Sequence, residues 1–301
     1  MAGRRVTTAL VAFAASLAAA IPAAAQIPDV PGNQGPPAAD PPTEVQPGPV
    51  PRCKQASLEC VDRLARHLRA EWQRYDATCD HRAVVLYAYL QITRGLRRDL
   101  AGPRPALVKG RRYMTFLITT FSNRFREAFS DYAAGRPVTD GWRIAFEAYD
   151  SGEVNAGQDT LLFSSVHVQY DLPLAYEEMG IATRSGESRK ADHDAVDEIN
   201  RQVFDRIQDY ISAHYDPTMS VIDAAAQLDE VGTLELVENW RENGWRYAER
   251  LLAAETEAER DAIVAEMEAN ARDWAQQIAS GSVPGTRAQR DAYCMENHEF
   301  G

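Results

Sequence analysis

Histidine and cysteine are scarce in this 301-residue chain, with six of the first and four of the second. The motifs of familiar chemistry are missing altogether. There is no Gly-x-Ser-x-Gly nucleophile turn, no phosphate-cradling glycine loop and no Cys-x-x-Cys pair, so serine-hydrolase, P-loop and thioredoxin-type chemistry have no foothold. Alternation of apolar and polar residues, the mark of a half-buried strand, is nearly absent. Beyond the first 25 residues no stretch approaches the roughly eighteen unbroken apolar residues that a membrane-spanning helix needs. Positive charge is in deficit: 32 Lys and Arg stand against 44 Asp and Glu, a formal charge of −12. Such a surface argues against nucleic acid or anionic lipid as the main partner and otherwise serves solubility.

What is there begins with a leader. Arg4 and Arg5, the apolar run Val6 to Ala20 and the small residues Ala23-Ala24-Ala25 follow the order of a signal peptide, residues 1–25. The next residue is Gln26, not the Cys that lipidation requires. Loss of Arg4 and Arg5 with the leader takes the formal charge from −12 to −14. The expectation is a secreted or extracytoplasmic protein, with no stable membrane insertion once the leader is cut. Its partners stay unspecified. Residues 26–52 are rich in Pro, Gly, Ala and Asp, which bury too little apolar area to offset the entropy of ordering, so they read as a disordered linker.

Residues 53–301 are expected to form one all-α domain of about nine helices. Leu58, Val61, Leu64, Ala65, Leu68, Trp72 and Tyr75 recur at spacings of three and four, an amphipathic stripe. Similar stripes run over Val84–Leu100, Leu107–Tyr132, Trp142–Tyr149 and Thr160–Met179. Pro173 sits inside the last of these and predicts a kink just after His167 and Asp171. A sixth helix starts near Asp192, a good cap residue, and Asp216-Pro217 opens a seventh. An eighth runs from Thr233 to Leu252. The ninth opens on Thr256 and Glu259, at capping-box spacing, and continues to about Ile278.

An even cysteine count in an exported chain predicts two disulfides among Cys53, Cys60, Cys79 and Cys294. Cys60 and Cys79 flank one helix and stand roughly 25 Å apart at about 1.5 Å per residue, too far to bond. Two frameworks remain: Cys53–Cys60 with Cys79–Cys294, or Cys53–Cys79 with Cys60–Cys294. Either ties the C-terminal tail to the first helices.

Histidine in acidic company is the one chemically suggestive pattern. His167 and Asp171 are a helical turn apart and point the same way, fit to share a metal or a proton. Asp192-His193-Asp194 opens the sixth helix, and Asp80-His81 opens the second. If the fifth and sixth helices pack together, His167, Asp171, His193 and one of Asp192 or Asp194 make a four-ligand shell for a divalent metal of unspecified identity. Asp80 and His81 are then candidate catalytic groups, and a metal-bound water the nucleophile. The plain alternatives are a buried His167–Asp171 pair that steadies the kink, helix capping by Asp192 and Asp194, and an exposed His81. Ser164 and Ser165 beside His167 do not make a triad, because three members on one helix cannot orient one another.

The segments Cys79-Asp80-His81-Arg82-Ala83-Val84, His167-Val168-Gln169-Tyr170-Asp171-Leu172-Pro173-Leu174-Ala175 and Ser188-Arg189-Lys190-Ala191-Asp192-His193-Asp194 resemble a bacterial family of exported or soluble helical proteins, a domain of unknown function with an HxxxDLP motif. The resemblance covers the chain from about Cys53 onward. It implies a helical fold and marks Asp80, His81, His167, Asp171, Asp192, His193 and Asp194; it supplies no reaction. Two readings stand: a secreted metal-dependent hydrolase, and a non-catalytic secreted binding or structural module with buried His/Asp pairs. A third is a lipid carrier whose cavity is lined by Phe121, Phe125, Trp240 and Trp245.

Overall fold

The structure, a computed structural model, describes residues 56–102, 107–218, 229–282 and 284–297. The expected leader and linker, Cys53 and the helix expected after Asp216-Pro217 lie outside the described residues. The chain runs through α1 (Leu58–Asp76), α2 (Arg82–Ala101), α3 (Arg111–Ala133), α4 (Asp140–Ser151), α5 (Ala156–Val166), a π-turn (His167–Asp171), α6 (Leu172–Met179), α7 (Lys190–His214), α8 (Asp229–Ala253), α9 (Glu257–Ala279) and α10 (Thr286–Asn297). The domain is all-α, as the periodicities predict. The described residues carry no strand, only an isolated bridge between Ala182 and Ser188. No helix among them is long and apolar enough to cross a membrane.

The apolar stripe of α1 buries Val61, Leu64 and Leu68 against α2, and α2 in turn packs on α7. On the far side α4 and α5 pack on α9, and α6 packs on α8. The central core includes Trp142, Phe146, Leu162, Tyr176 and Trp245, and each such side chain removed from water contributes roughly 1.5–3 kcal/mol. A second cluster gathers around Cys79, Tyr87, Ile211, Tyr215 and Cys294. Thr256 and Glu259 form the expected capping box of α9, and Asn155 with Gln158 forms another on α5.

Where a kink is expected at Pro173, the helix instead widens into a π-turn, with the Leu172 N–H bonded to the His167 carbonyl. Pro173 has no N–H for the next such bond, which Val168 would accept. Val168 O turns toward α8 at Gly244, where an added Cβ would stand 2.9 Å from it. A mid-helix glycine usually weakens a helix; here it lets α8 cross directly over the widened turn. The turn contacts α3, α5, α6, α8 and α9, so it sits where the layers meet.

One helix has no counterpart in the apolar pattern. The buried residues of α10 are Arg290 and Cys294, neither of which a hydrophobic period detects.

Candidate functional site

His167 and Asp171 lie on the π-turn and are 1% and 4% exposed. His167 Nδ1 meets Asp171 Oδ2 at 2.8 Å, and Nε2 faces the Tyr89 hydroxyl at 3.5 Å. The imidazole stacks flat on Phe121, with ring centroids 3.6 Å apart and 4° between planes. Tyr89, Phe125, Phe163 and Trp142 close the box around it. Burial lowers the His167 pKa although Asp171 works to raise it, a balance that favours the neutral ring. A cavity sharing Phe125 and Phe163 with the box, and also lined by Arg82, measures about 10 Å³, the space of one water.

Asp192 is not the cap of α7. That helix starts two residues earlier, at Lys190, with Arg189 in the cap position. The Asp192 carboxylate instead accepts the N–H groups of Lys109 and Gly110, at 2.7 and 3.0 Å, and so holds the entry to α3. A Cβ at Gly110 would lie 2.3 Å from Asp192 Oδ2, which explains glycine there. Its neighbour His193 is 2% exposed. His193 Nδ1 pairs with the Tyr176 hydroxyl at 2.7 Å, and its carbonyl accepts from Arg241. Burial first, then the charges of Arg241 and Lys190, push the His193 pKa down to about 2.

Ligand atoms of His193, Asp194 and Glu242 lie within 4.8 Å of one another, the one such trio of potential metal ligands among the described residues. His167, Asp171 and Asp192 do not join it, so the four-ligand shell expected from two packed helices does not form. Glu242, on α8, is the partner that sequence reasoning missed. Lys190 also stands in the trio: its ammonium bonds to Asp194 and lies 2.8 Å from Glu242 Oε2. That bond lowers the Glu242 pKa. Burial works to lower the Lys190 pKa, but bonds to both carboxylates outweigh it and raise it.

Asp80 and His81 are adjacent in sequence and separate in role. Asp80 accepts from the Arg82 backbone N–H and guanidinium, both at 2.8 Å, and so holds the first N–H of α2. His81 is buried, 4% exposed, and not a surface residue of the first turn. Its Nδ1 lies 3.0 Å from Asp159 Oδ2 and bonds to Arg290. Arg290 Nη1 also donates to Asp159 at 2.7 Å and to the Val154 carbonyl at 2.9 Å, while its Nε stands 3.5 Å from Asp216 Oδ2. Asp159, Asp216 and Arg290 were not legible as site residues, because they meet His81 only through the fold.

His81, His167 and His193 thus bond to three different sets of partners. The rings of the lipid-carrier reading are packed as well: Phe121 on His167, Trp240 on Trp274 and Trp245 on Tyr176. The structure joins Cys79 to Cys294, with Cα atoms 6.0 Å apart. Cys60 is disulfide-bonded too, which leaves the framework without a Cys60–Cys294 bond.

No curated protein and no solved structure matches the chain. A family model does match residues 61–281, and over that span the chain belongs to the family of unknown function DUF5995.

Proposed function

We propose that the protein is a non-catalytic extracytoplasmic module, in which the His and Asp residues build a rigid interior and the outer surface does the binding. The observation that carries this reading is where the polar side chains spend their bonds. Asp80 and Asp192 hold backbone N–H groups at the heads of α2 and α3, and the His167–Asp171 pair is closed inside aromatic rings. The neighbouring cavity admits a water and no substrate. A disulfide accords with an oxidising compartment. Elemental analysis of the purified protein beside a His167→Ala/Asp171→Ala variant tests the reading. The expected result is no stoichiometric metal in either, with the variant less stable to heat. A transition metal present in the parent and lost from the variant overturns it.

A second reading rests on a different observation, the His193, Asp194 and Glu242 trio. One imidazole and two carboxylates suit a divalent ion such as zinc or manganese. Such an ion would acidify a bound water and serve hydrolysis. It would first have to displace the Lys190 ammonium from Glu242 and Asp194. Calorimetric titration of zinc into the parent, and into a His193→Ala/Glu242→Gln variant, decides the matter. Heat in the parent that vanishes in the variant supports the metal reading; no heat in either removes it.

A further inference from the structure

Helix α10 is attached to the domain in an unusual way. It is 12 residues long and its buried residues are one arginine and one cysteine, a helical turn apart on the same face. Its large apolar residue Met295 is 53% exposed. A helix this short is marginal alone, and α10 buries almost no apolar side chain that would dock it. It also follows the residues that the family model covers. Its buried face is held by the Cys79–Cys294 bond and by Arg290 inserted among His81, Asp159 and Asp216, while Thr286, Arg287 and Tyr293 add hydrogen bonds to Glu153, the Asp150 carbonyl and the Ser212 carbonyl at its more exposed positions.

The receiving pocket belongs to three other parts of the chain. His81 stands at the head of α2, Asp159 in the first turn of α5 and Asp216 after α7. Asp159 is fully buried and Asp216 is 1% exposed. Asp216 is held by the Ala156 and Thr218 N–H groups at 2.8 and 3.0 Å, but a carboxylate as dry as Asp159 needs a cation, and the Arg290 guanidinium supplies it. The fit is incomplete, because His81 Nε2, Asp159 Oδ1 and Arg290 Nε are buried with no hydrogen-bond partner. Unmade bonds of this kind weaken the ionic hold and leave the covalent bond as the stronger clamp.

We infer that His81, Asp159 and Asp216 form a guanidinium-binding site which α10 fills with Arg290, and that the Cys79–Cys294 bond keeps this plug in place until a thiol reductant releases it. In the release step a dithiol supplies two electrons and two protons. The S–S bond breaks, Cys79 and Cys294 become thiols, and the dithiol closes to its own disulfide. Arg290 then leaves with α10, and the pocket opens to a guanidinium from any other source.

The full chain in three variants tests this. In Cys79→Ser/Cys294→Ser, which keeps Arg290, hydrogen exchange of the 286–297 amides should accelerate by about tenfold or more while the α2 amides stay protected. Exchange as slow as in the parent overturns the release. In Arg290→Ala the melting temperature should fall, and methylguanidinium should raise it by mass action. Tetramethylammonium should not, and neither cation should help Asp159→Asn/Arg290→Ala. A melting temperature of Arg290→Ala that responds to methylguanidinium no more than the parent does overturns the site. Should Arg290→Ala fail to fold, the exchange measurement still decides the release, because the serine variant keeps Arg290, His81, Asp159 and Asp216 in the chain.

Discussion

The His167 box and the His81 cluster bury an imidazole beside a carboxylate in opposite ways. The first pair is local: His167 and Asp171 are four residues apart, and their walls are rings. The second is assembled from afar: Arg290 and His81 are separated by 209 positions, and the group closing the cluster is charged. A local pair forms as soon as its helix forms. A distant one waits for the whole fold, and here for a covalent bond as well. Similar residues can thus be internal furniture in one place and a docking socket in another.

The largest effect that would sharpen this contrast is expected from Asp159→Ala. It leaves Arg290 buried beside fewer acceptors and should lower stability by about 3–5 kcal/mol, read from urea denaturation. A change comparable to that of an exposed ion pair would mean that the cluster is not an ionic clamp. In the box, His167→Phe alone strands the Asp171 carboxylate and should cost about 2–3 kcal/mol, whereas His167→Phe/Asp171→Leu should lie close to the parent. If the double variant is the worse of the two, the pair does more than fill the box. These comparisons need only denaturation midpoints.

Much of the fold was open to sequence reasoning, because the stripes of α1 to α9 are apolar and periodic. Helix α10 was not, since Arg290 and Cys294 make its buried face. Of the site residues, His167 with Asp171 was legible from a spacing of four. Glu242 beside His193, and Asp159 with Arg290 around His81, were not, because nothing in one sequence records which helices will meet. Asp192 shows the same limit from the other side. It looks like the cap of its own helix and instead holds the Lys109 and Gly110 N–H groups just before α3.

Acid offers a milder way to separate the buried histidines from exposed ones. His193 is held near pKa 2 and His167 is also lowered, while an unfolded His takes up a proton near pH 6.5. The stabilisation is therefore complete above about pH 6.5 and declines as pH falls toward the folded value, by up to about 1.4 kcal/mol per pH unit for each ring. Denaturation midpoints between pH 7 and pH 4 should show it, and His193→Asn should flatten the slope. An unchanged slope would place the pH dependence elsewhere. The smallest effect is expected at the crossing of α8 over the π-turn. Gly244→Ala gains helix propensity yet presses its methyl on Val168 O, for a net loss of about 1 kcal/mol. A more stable Gly244→Ala protein would show that the crossing has slack.

The Cys79–Cys294 bond also governs how breakage of the chain would register. The segment between α9 and α10 is exposed, at Ser280 to Ser282 and again at Pro284 and Gly285. A protease cutting there would leave two peptides that still travel as one molecule. Electrophoresis without reductant would report an intact protein, and the nick would appear only after the sulfurs were separated.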